Sequence, residues 1–340
     1  MVDQNKGMSD LWRRLRFVFM AIVVYRLGTH IPIPGIDPAR LAALFDQNQG
    51  TILEMFNLFS GGALERMSIF ALNVVPYISA AIIMQLFSNS IPYLQELKKD
   101  GQAGRNQITQ YTRYGTVVLA FVQASALAVT LGASGLAYEP GSSFFVSAVF
   151  SVVAGTIFLM WLGELISERG IGNGISIIIA TSILTGIPGA IGQALEQARQ
   201  GDLNILLLLG IGVLAMLVIA IVVFIERGQR RITVNYAQRQ QGRKLMQAQA
   251  SHLPFKVNMA GVIPAIFAST FLLFPASLST WFGQAESFGF LQTISLALNP
   301  GQPLYILTFS ALIISFCFIW LALTFDTKEV TDNLKKSGAF

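Results

Sequence analysis

Residues 74–80 read VVPYISA and residues 262–268 read VIPAIFA, so the two stretches are identical at four of seven positions. Each lies in a long apolar stretch and places a proline in its first half, where proline kinks a helix and frees a carbonyl group. If the apolar stretches cross a membrane in turn, the copies fall in spans two and seven, which run in opposite directions. The copies are five spans apart, which predicts two inverted halves of five spans each. The alternative is that the similarity between these two apolar segments arose by chance.

Eight apolar stretches qualify as spans, because about 20 residues cross ~30 Å of hydrocarbon. They are Leu15 to Ile33, Ile69 to Ile91, Tyr114 to Leu131, Phe144 to Leu165, Ile171 to Ile191, Leu203 to Ile225, Val257 to Phe282 and Pro303 to Phe325. The chain is 53% hydrophobic and 12% charged, which excludes an ordinary soluble core. The pattern predicts an all-α polytopic membrane protein, with spans one to five in residues 1–195 and spans six to eight in an incomplete second half, residues 196–340.

Lysine and arginine are concentrated on one side of the predicted spans. Nineteen of the 23 lie in the two terminal segments and in the loops after spans two, four and six, whereas the opposite loops contain three. Cytoplasmic segments carry such an excess of positive charge, so both termini are predicted to be cytoplasmic. The net charge of +5 favours anionic lipid headgroups as partners, with an anionic cytoplasmic partner as the alternative.

Two segments between the spans have distinctive compositions. Residues 226–256 form the longest cytoplasmic loop, whose basic residues include Arg239, Arg243 and Lys244. This loop is either a basic finger that docks onto a polyanion, or a solvated loop whose positive charges only set the orientation of the spans in the membrane. Residues 51–68 form an apolar segment with a glycine hinge that is too short to cross the bilayer, and its length alone favours a helix lying at the membrane interface.

No catalytic or metal-binding set emerges from the residue types. The chain contains two histidines, His30 and His252, and a single cysteine, Cys317, so we expect no metal, no other cofactor and no enzymatic activity. The residues around the two prolines are mostly aliphatic, and the polar ones nearby are uncharged. A channel with an aliphatic neck fits this pattern, and a five-plus-five solute transporter with a polar midplane site is the alternative.

Several longer motifs resemble the SecY family, the pore subunits of the bacterial protein-conducting translocon. They are IPIPGID (31–37), EMFNLFSGGAL (54–64), QYTRYGT (110–116), MWLGE (160–164), ERGIGNGISIII (168–179), ERGQRRI (226–232), HLPFKVNMAGVIPAIFAS (252–269) and DNLKKSGAF (332–340). The resemblance implies a ten-helix channel that passes secretory proteins across the bacterial inner membrane and releases hydrophobic helices sideways. The chain stops at Phe340, so the resemblance implies that the family's two carboxy-terminal helices are absent.

The resemblance also implies residue roles. The aliphatic constriction would be formed by Val74, Ile78, Ile175, Ile179 and Ile266. The plug that closes the outer funnel would contain Phe59, Ser60, Gly61, Gly62, Ala63, Leu64 and Arg66, which replaces the interfacial helix favoured by length. Gln85 and Asn258 would meet at the sideways exit between spans two and seven. Arg239, Arg243 and Lys244 would dock the ribosome or the SecA motor.

The partners implied by the resemblance are proteins rather than cofactors. The channel has no energy source of its own and would depend on SecE, with SecG and either SecA or the ribosome. Signal sequences and nascent chains would be its substrates, and anionic lipids would surround its cytoplasmic side.

Overall fold

The computed structural model describes residues 4–38, 40–41, 57, 60–139, 141–201, 204–235, 240–241, 244–245, 250–269, 271–272, 302–324, 331–332 and 334–335. The helices are α1 (Gln4–Gly28), α2 (Val75–Ser90), α3 (Pro92–Lys99), α4 (Gln102–Ala133), α5 (Ser142–Arg169), α6 (Gly174–Gln200), α7 (Ile205–Arg227) and α8 (Pro303–Thr324). Residues 263–269 and 271–272 are also helical. The short strands are β1 (Gln229–Asn235), β2 (Gln240–Gln241), β3 (Lys244–Leu245) and β4 (Ala250–Lys256). The predicted all-α class is confirmed, since the strands form only small two-stranded ribbons.

Five helices among the described residues, α4 to α8, are long and apolar enough to cross a membrane. They correspond to predicted spans three, four, five, six and eight. Helix α2 has only 16 residues, α1 carries three arginines in its first half, and span seven extends beyond the described residues. The number of eight spans therefore stays a prediction.

The predicted start of span two at Ile69 is wrong for the helix. Residues 69–74 form turns and α2 begins at Val75, because Asn73 adopts a left-handed backbone conformation with φ of 49° and Pro76 occupies the first helical turn. Proline is tolerated there, since its missing N–H would have no partner within the helix. Pro76 therefore lies at the start of α2. It does not kink the helix, contrary to the expectation from the sequence.

The two copies of the repeated motif share one local structure. Pro264, like Pro76, is the second residue of its helical segment. The N–H group of Ile78 donates to the carbonyl oxygen of Val74 at 3.0 Å, and the N–H group of Ile266 donates to that of Val262 at 3.3 Å. The two copies of the motif are therefore similar in backbone conformation as well as in sequence.

The chain divides into two compact units. The first comprises Met1–Gln193 and Thr270–Leu307, and the second comprises Ala194–Ser269 and Thr308–Phe340. In the first unit, α4 packs against α5 through a buried row of Ala120, Ala124 and Ala128. Small side chains at every fourth residue let two helix backbones approach closely where lipid offers no hydrophobic driving force.

Glycines on α5 and α6 allow two further close approaches within the first unit. A Cβ atom on Gly155 would overlap the carbonyl oxygen of Ile69, and a Cβ atom on Gly174 would overlap that of Gly163. The first contact brings the non-helical segment before α2 onto the middle of α5. The second brings the first residue of α6 close to Gly163 of α5, next to the turn at residues 170–173.

The amino-terminal end of α1 carries a local ion cluster outside the predicted span. Asp10 accepts hydrogen bonds from Arg14 and Arg13, and the bond from Arg14 holds the pKa of the Asp10 carboxyl group below its usual value. Arg14 also donates from Nη1 to the carbonyl oxygen of Gly170 at 3.3 Å. The first helix is thus tied to the α5–α6 turn.

In the second unit, the end of α7 leads into an antiparallel ribbon. Strands β1 and β4 pair from Gln229 opposite Lys256 to Asn235 opposite Ala250. The helical residues that follow place the ring of Phe267 edge-on against Phe316 and Trp320 of α8, with ring centroids 5.9 and 5.5 Å apart. Aromatic edge contacts therefore join α8 to the segment after the ribbon.

Replacement of Gly155 by Ala tests the close approach of Ile69 to α5. The added Cβ meets backbone atoms, so the segment must shift, and we expect a loss of about 1–3 kcal/mol in the free energy of unfolding. The control is Gly192→Ala on α6, where a Cβ has open space, and this change should be neutral or slightly stabilising. Unfolding of the purified protein by denaturing detergent measures both, and equal midpoints for the two variants would contradict the packing.

Candidate pore constriction and plug

Helix α6 presents Ile175 and Ile179 on one face, one helical turn apart. Its start is fixed by Asn173, whose Oδ1 accepts hydrogen bonds from the N–H groups of Ile175 and Ser176 at 3.0 and 3.3 Å. Asparagine is a favoured residue at this capping position. The N–H group of Gly174 also donates to the Ser167 hydroxyl oxygen at 2.8 Å. The glycine-rich turn thus sets where the two isoleucines lie.

Helix α2 presents Val74 and Ile78 in the same way, since Val74 is its N-cap residue and Ile78 lies one turn further. The side chain of Val74 is buried, and that of Ile78 is partly buried. These two residues, together with Ile175 and Ile179, belong to or pack against one apolar cluster that also contains residues of α1 and α5. Four of the five predicted constriction residues are therefore brought together in the first unit.

The fifth residue, Ile266, belongs to the second unit. It lies one turn into the helical residues 263–269, at the position that corresponds to Ile78 in the first copy of the motif. Its side chain is partly buried there.

The described part of the plug segment folds back into the protein. Ser60, Gly61, Ala63 and Leu64 are buried, so the interfacial helix favoured by length alone is wrong for these residues. Ala63 belongs to the same apolar cluster as Val74, and Leu64 belongs to a second cluster between α4 and α5. Residues 51–56, 58 and 59, which include the predicted plug residue Phe59, lie outside the described part of the chain.

Both plug glycines have left-handed backbone conformations, with φ of 67° for Gly61 and 78° for Gly62. A Cβ atom on Gly61 would lie 3.1 Å from Cα of Ser182, so this glycine also permits the plug to touch the backbone of α6. Met67 has φ of 42°, which is uncommon for a side chain of this size. Its conformation is held because its carbonyl oxygen accepts a 2.8 Å hydrogen bond from the N–H group of Ile33.

A buried polar cluster connects the plug segment to the elements around it. It is formed by Tyr25 of α1, Ser60 of the plug, Asn73 before α2 and Ser182 of α6. The Tyr25 hydroxyl group donates to the carbonyl oxygen of Ser60 at 3.1 Å and lies 2.6 Å from the hydroxyl oxygen of Ser182. The Asn73 amide donates to the same Ser182 oxygen at 3.1 Å. All four residues are almost fully buried, so each bond replaces one to water. We name this group the polar hub.

Basic side chains contact the plug segment at its exposed side. Arg26 donates from Nη1 to the carbonyl oxygen of Gly61 at 3.3 Å. Arg66 is exposed, and its Nη1 lies 3.2 Å from Nε2 of His30, whose Nδ1 lies 2.8 Å from the carbonyl oxygen of Arg26. Arg26, which is unusual inside an apolar stretch, thus has the plug backbone as its partner.

The predicted sideways-exit residues lie in different units. Gln85 is partly buried on α2 in the first unit. Asn258 is in the second unit, where its Nδ2 donates to Oε1 of Glu226 at 2.8 Å. Of the predicted docking residues, Arg239 and Arg243 lie outside the described residues, and Lys244 is in β3, paired with Gln241.

Sequence reasoning missed Tyr25, Asn73, Ser182 and Glu226. The first three are uncharged polar residues in or beside apolar stretches, which was a usable signal, because polar groups inside a membrane protein need partners. Nothing in their sequence spacing indicated that Tyr25 and Asn73 would meet at Ser182.

Comparison with known proteins identifies the family of the chain. The sequence model of the SecY family matches residues 68–340, most of the chain. The chain belongs to the SecY family. It is 64% identical over 336 residues to the protein translocase subunit SecY of Pseudomonas aeruginosa, covering 99% of this chain and 76% of that protein.

Solved structures show the same fold. A protein-conducting channel matches with a TM-score of 0.66 and 18% identity, over 97% of this chain and 77% of that one. Sec61 in a canine ribosome-channel complex from the endoplasmic reticulum matches with a TM-score of 0.56 and 19% identity, over 80% of this chain and 59% of that one.

Family membership confirms the resemblance found in the motifs. The SecY-family chain is a subunit of a membrane protein translocase, so the predicted class of function, a channel subunit and not an enzyme, is confirmed. The solute transporter is not favoured. The roles of individual residues in the constriction, plug, sideways exit and docking loop stay predictions.

Substitution of Ser182 by Ala tests whether the polar hub holds the plug. The change leaves the Asn73 amide and the Tyr25 hydroxyl group without the shared oxygen, so we expect the ratio of open to closed channels to rise about tenfold. The control is Thr181→Ala, because the Thr181 hydroxyl group donates only to its own helix, at the carbonyl oxygen of Ile177, in the contacts described.

Single-channel recording from the complete translocase in planar bilayers measures this ratio. Equal opening by Ser182→Ala and Thr181→Ala channels would show that the hub does not hold the closed state.

Proposed function

We propose that the chain lines a protein-conducting pore in the bacterial inner membrane, through which secretory proteins cross and from which hydrophobic helices leave sideways between spans two and seven. The observation that carries this proposal is the single apolar cluster that joins Val74, Ile78, Ile175 and Ile179 to the plug residue Ala63. A seal built from a constriction and a plug needs this contact.

The side chains proposed for the constriction are suited to passing polypeptide while retaining ions. Valine and isoleucine offer no ligand that replaces the hydration shell of an ion, and a narrow aliphatic neck excludes water. A polypeptide can displace the plug and make apolar contacts with the same side chains. Ile266 is proposed to complete the ring from the second half of the channel.

Plug release would be reversible because its contacts are few and of two kinds. Ala63 and Leu64 make apolar contacts, while the carbonyl groups of Ser60 and Gly61 accept hydrogen bonds from Tyr25 and Arg26. When the plug moves outward, water in the outer funnel can satisfy the carbonyl groups. The apolar contacts would be replaced by contacts with the passing chain.

The proposed partners follow from the family and from charge. SecE and SecG would complete the membrane complex, and either the SecA motor or the ribosome would dock on the basic loop 226–256. The structural similarity to Sec61 from a ribosome-channel complex supports a ribosome as one such partner. Both termini are proposed to face the cytoplasm, where the excess of Lys and Arg would also contact anionic lipids.

Replacement of Ile78 or Ile266 by Asp tests the constriction. A carboxylate in the neck would hydrate it, so we expect a raised ion leak through the resting channel in either variant. Ile78→Leu keeps the neck aliphatic and serves as the control. Conductance of the complete translocase in planar bilayers is the measurement, and Asp variants that leak no more than the parent would overturn the constriction assignment.

A cysteine at Leu64 tests the plug, in a background where Cys317 is replaced by Ser. Leu64 is 4% exposed, so we expect the thiol to be shielded from outside reagents at rest and to react when a secretory chain occupies the channel. A cysteine at the exposed neighbour Glu65 should react in both states and serves as the control. If Leu64→Cys reacts equally with and without a translocating chain, the segment is not a plug.

A further inference from the structure

The β1–β4 ribbon is rooted at a short junction between two membrane helices. Helix α7 ends at Arg227, and the carbonyl oxygen of Gly228 accepts a 3.0 Å hydrogen bond from the N–H group of Val257, which closes the base of the ribbon. Seven residues on each strand then pair without interruption, so the ribbon extends about 20 Å as one body. On the other side of the junction, the helical residues of span seven begin at 263.

Asn258 lies in this junction and uses both ends of its amide group. Its Nδ2 donates to Oε1 of Glu226 at 2.8 Å, and its Oδ1 accepts from the N–H group of Gly261 at 3.1 Å. The first bond reaches the last turn of α7, and the second holds the turn before the span-seven helix. Asn258 therefore connects three elements: α7, the base of the ribbon and the start of span seven.

Two glycines beside Asn258 would otherwise let the ribbon swivel. Gly228 separates α7 from β1, and Gly261, with φ of 61°, separates β4 from the span-seven helix. Glycine adopts many backbone conformations at little cost, so the covalent connections alone do not fix the angle of the ribbon. The side chain of Asn258 makes one hydrogen bond across the Gly228 connection, to Glu226 of α7, and one to Gly261 itself.

Glu226 is the acceptor that makes this bridge strong. Its carboxylate is partly buried, and hydrogen bonds to ionised acceptors in such places are shorter and stronger than neutral ones. Among the ion pairs of the described residues, none ties Glu226 to an arginine or a lysine. The Asn258 amide is the partner that the described contacts give it.

We propose that Glu226 is a positioning residue that locks the root of the β1–β4 ribbon to α7 and to the first turn of span seven, so that a load on the ribbon reaches the span-seven helix. This inference rests on the proposed docking of a motor or ribosome on the loop 226–256. With the bond intact, the ribbon and the helix start move as one body. Without this hydrogen bond, docking still occurs, but the ribbon rotates at Gly228 and a force on the ribbon no longer reaches the span-seven helix.

The test uses the complete translocase with SecE and SecG in vesicles, with SecA, ATP and a secretory precursor. Glu226→Ala and Asn258→Ala should each lower the maximal rate of protease-protected import about tenfold, because each removes the same charge-assisted bond. The SecA concentration for half-maximal import should not change, and the double variant should be no slower than either single variant. Glu226→Gln keeps an acceptor oxygen and should restore import to within about twofold.

Two controls separate a loss of coupling from a loss of folding. Glu196→Ala removes an exposed carboxylate from the last turn of another helix and should leave import unchanged. Spin labels on cysteines at Arg231 in the ribbon and Val262 at the start of span seven should give a narrow distance distribution in the parent and a broad one in Glu226→Ala, whether or not the variant is active.

Several results would overturn the proposal. They are parental import by Glu226→Ala, additive losses in the double variant, a narrow distance distribution in Glu226→Ala, or a raised requirement for SecA, which would place Glu226 in the docking surface itself. A separate variant, Arg243→Glu with Lys244→Glu, tests docking alone. If that variant keeps the affinity for SecA and its salt dependence, the proposed docking loop fails, independently of Glu226.

Discussion

A membrane protein can hold irregular backbone at membrane depth only where the protein itself satisfies the backbone N–H and C=O groups. The segment between α1 and α2 is such a backbone, because residues 61–74 form turns and sit against α5 and α6. Its N–H groups find partners one by one. Leu64 donates to the hydroxyl oxygen of Ser60, Ser68 donates to the carbonyl oxygen of Ala63, and Ile69 donates to that of Ile31. The start of α2, the plug and the polar hub all depend on this pairing of backbone N–H and C=O groups.

The same requirement explains why the hub is polar in a region that is otherwise apolar. The carbonyl oxygen of Ser60 accepts a hydrogen bond from the hydroxyl group of Tyr25. Tyr25 in turn needs a partner, which Ser182 provides, and Asn73 joins through the same oxygen. The closed state that we propose would be specific, since few other positions of the plug segment would satisfy all of these groups. Leaving it has a limited cost, because the released groups can bond to water.

Much of this architecture could be predicted from the sequence, because apolar runs of membrane length leave few alternatives. Helices α4 to α8 correspond to predicted spans, and the glycines at 61 and 62 correctly marked a bend. The start of α2 was mispredicted because Ile69 to Val74 are almost as apolar as the helix that follows. The left-handed backbone of Asn73, the proline at position 76 and the contact at Gly155 place the start of the helix at Val75. The ribbon was read as a basic loop, since its charges obscure the strand alternation. The hub and the Glu226–Asn258 bond join residues far apart in the sequence, and their distances depend on packing.

We propose that the apolar cluster of Val74, Ile78, Ile175 and Ile179 forms the wall of the polypeptide path. The most direct measurement is photo-crosslinking from a probe at each of these positions to a secretory chain stalled during translocation through the complete translocase. A probe at Leu214, which is exposed in the middle of α7 and is proposed to face lipid, serves as the comparison position. The account predicts strong crosslinks to the stalled chain from the four cluster positions and none from Leu214. Crosslinks of equal strength from Leu214, or none from the four positions, would contradict it.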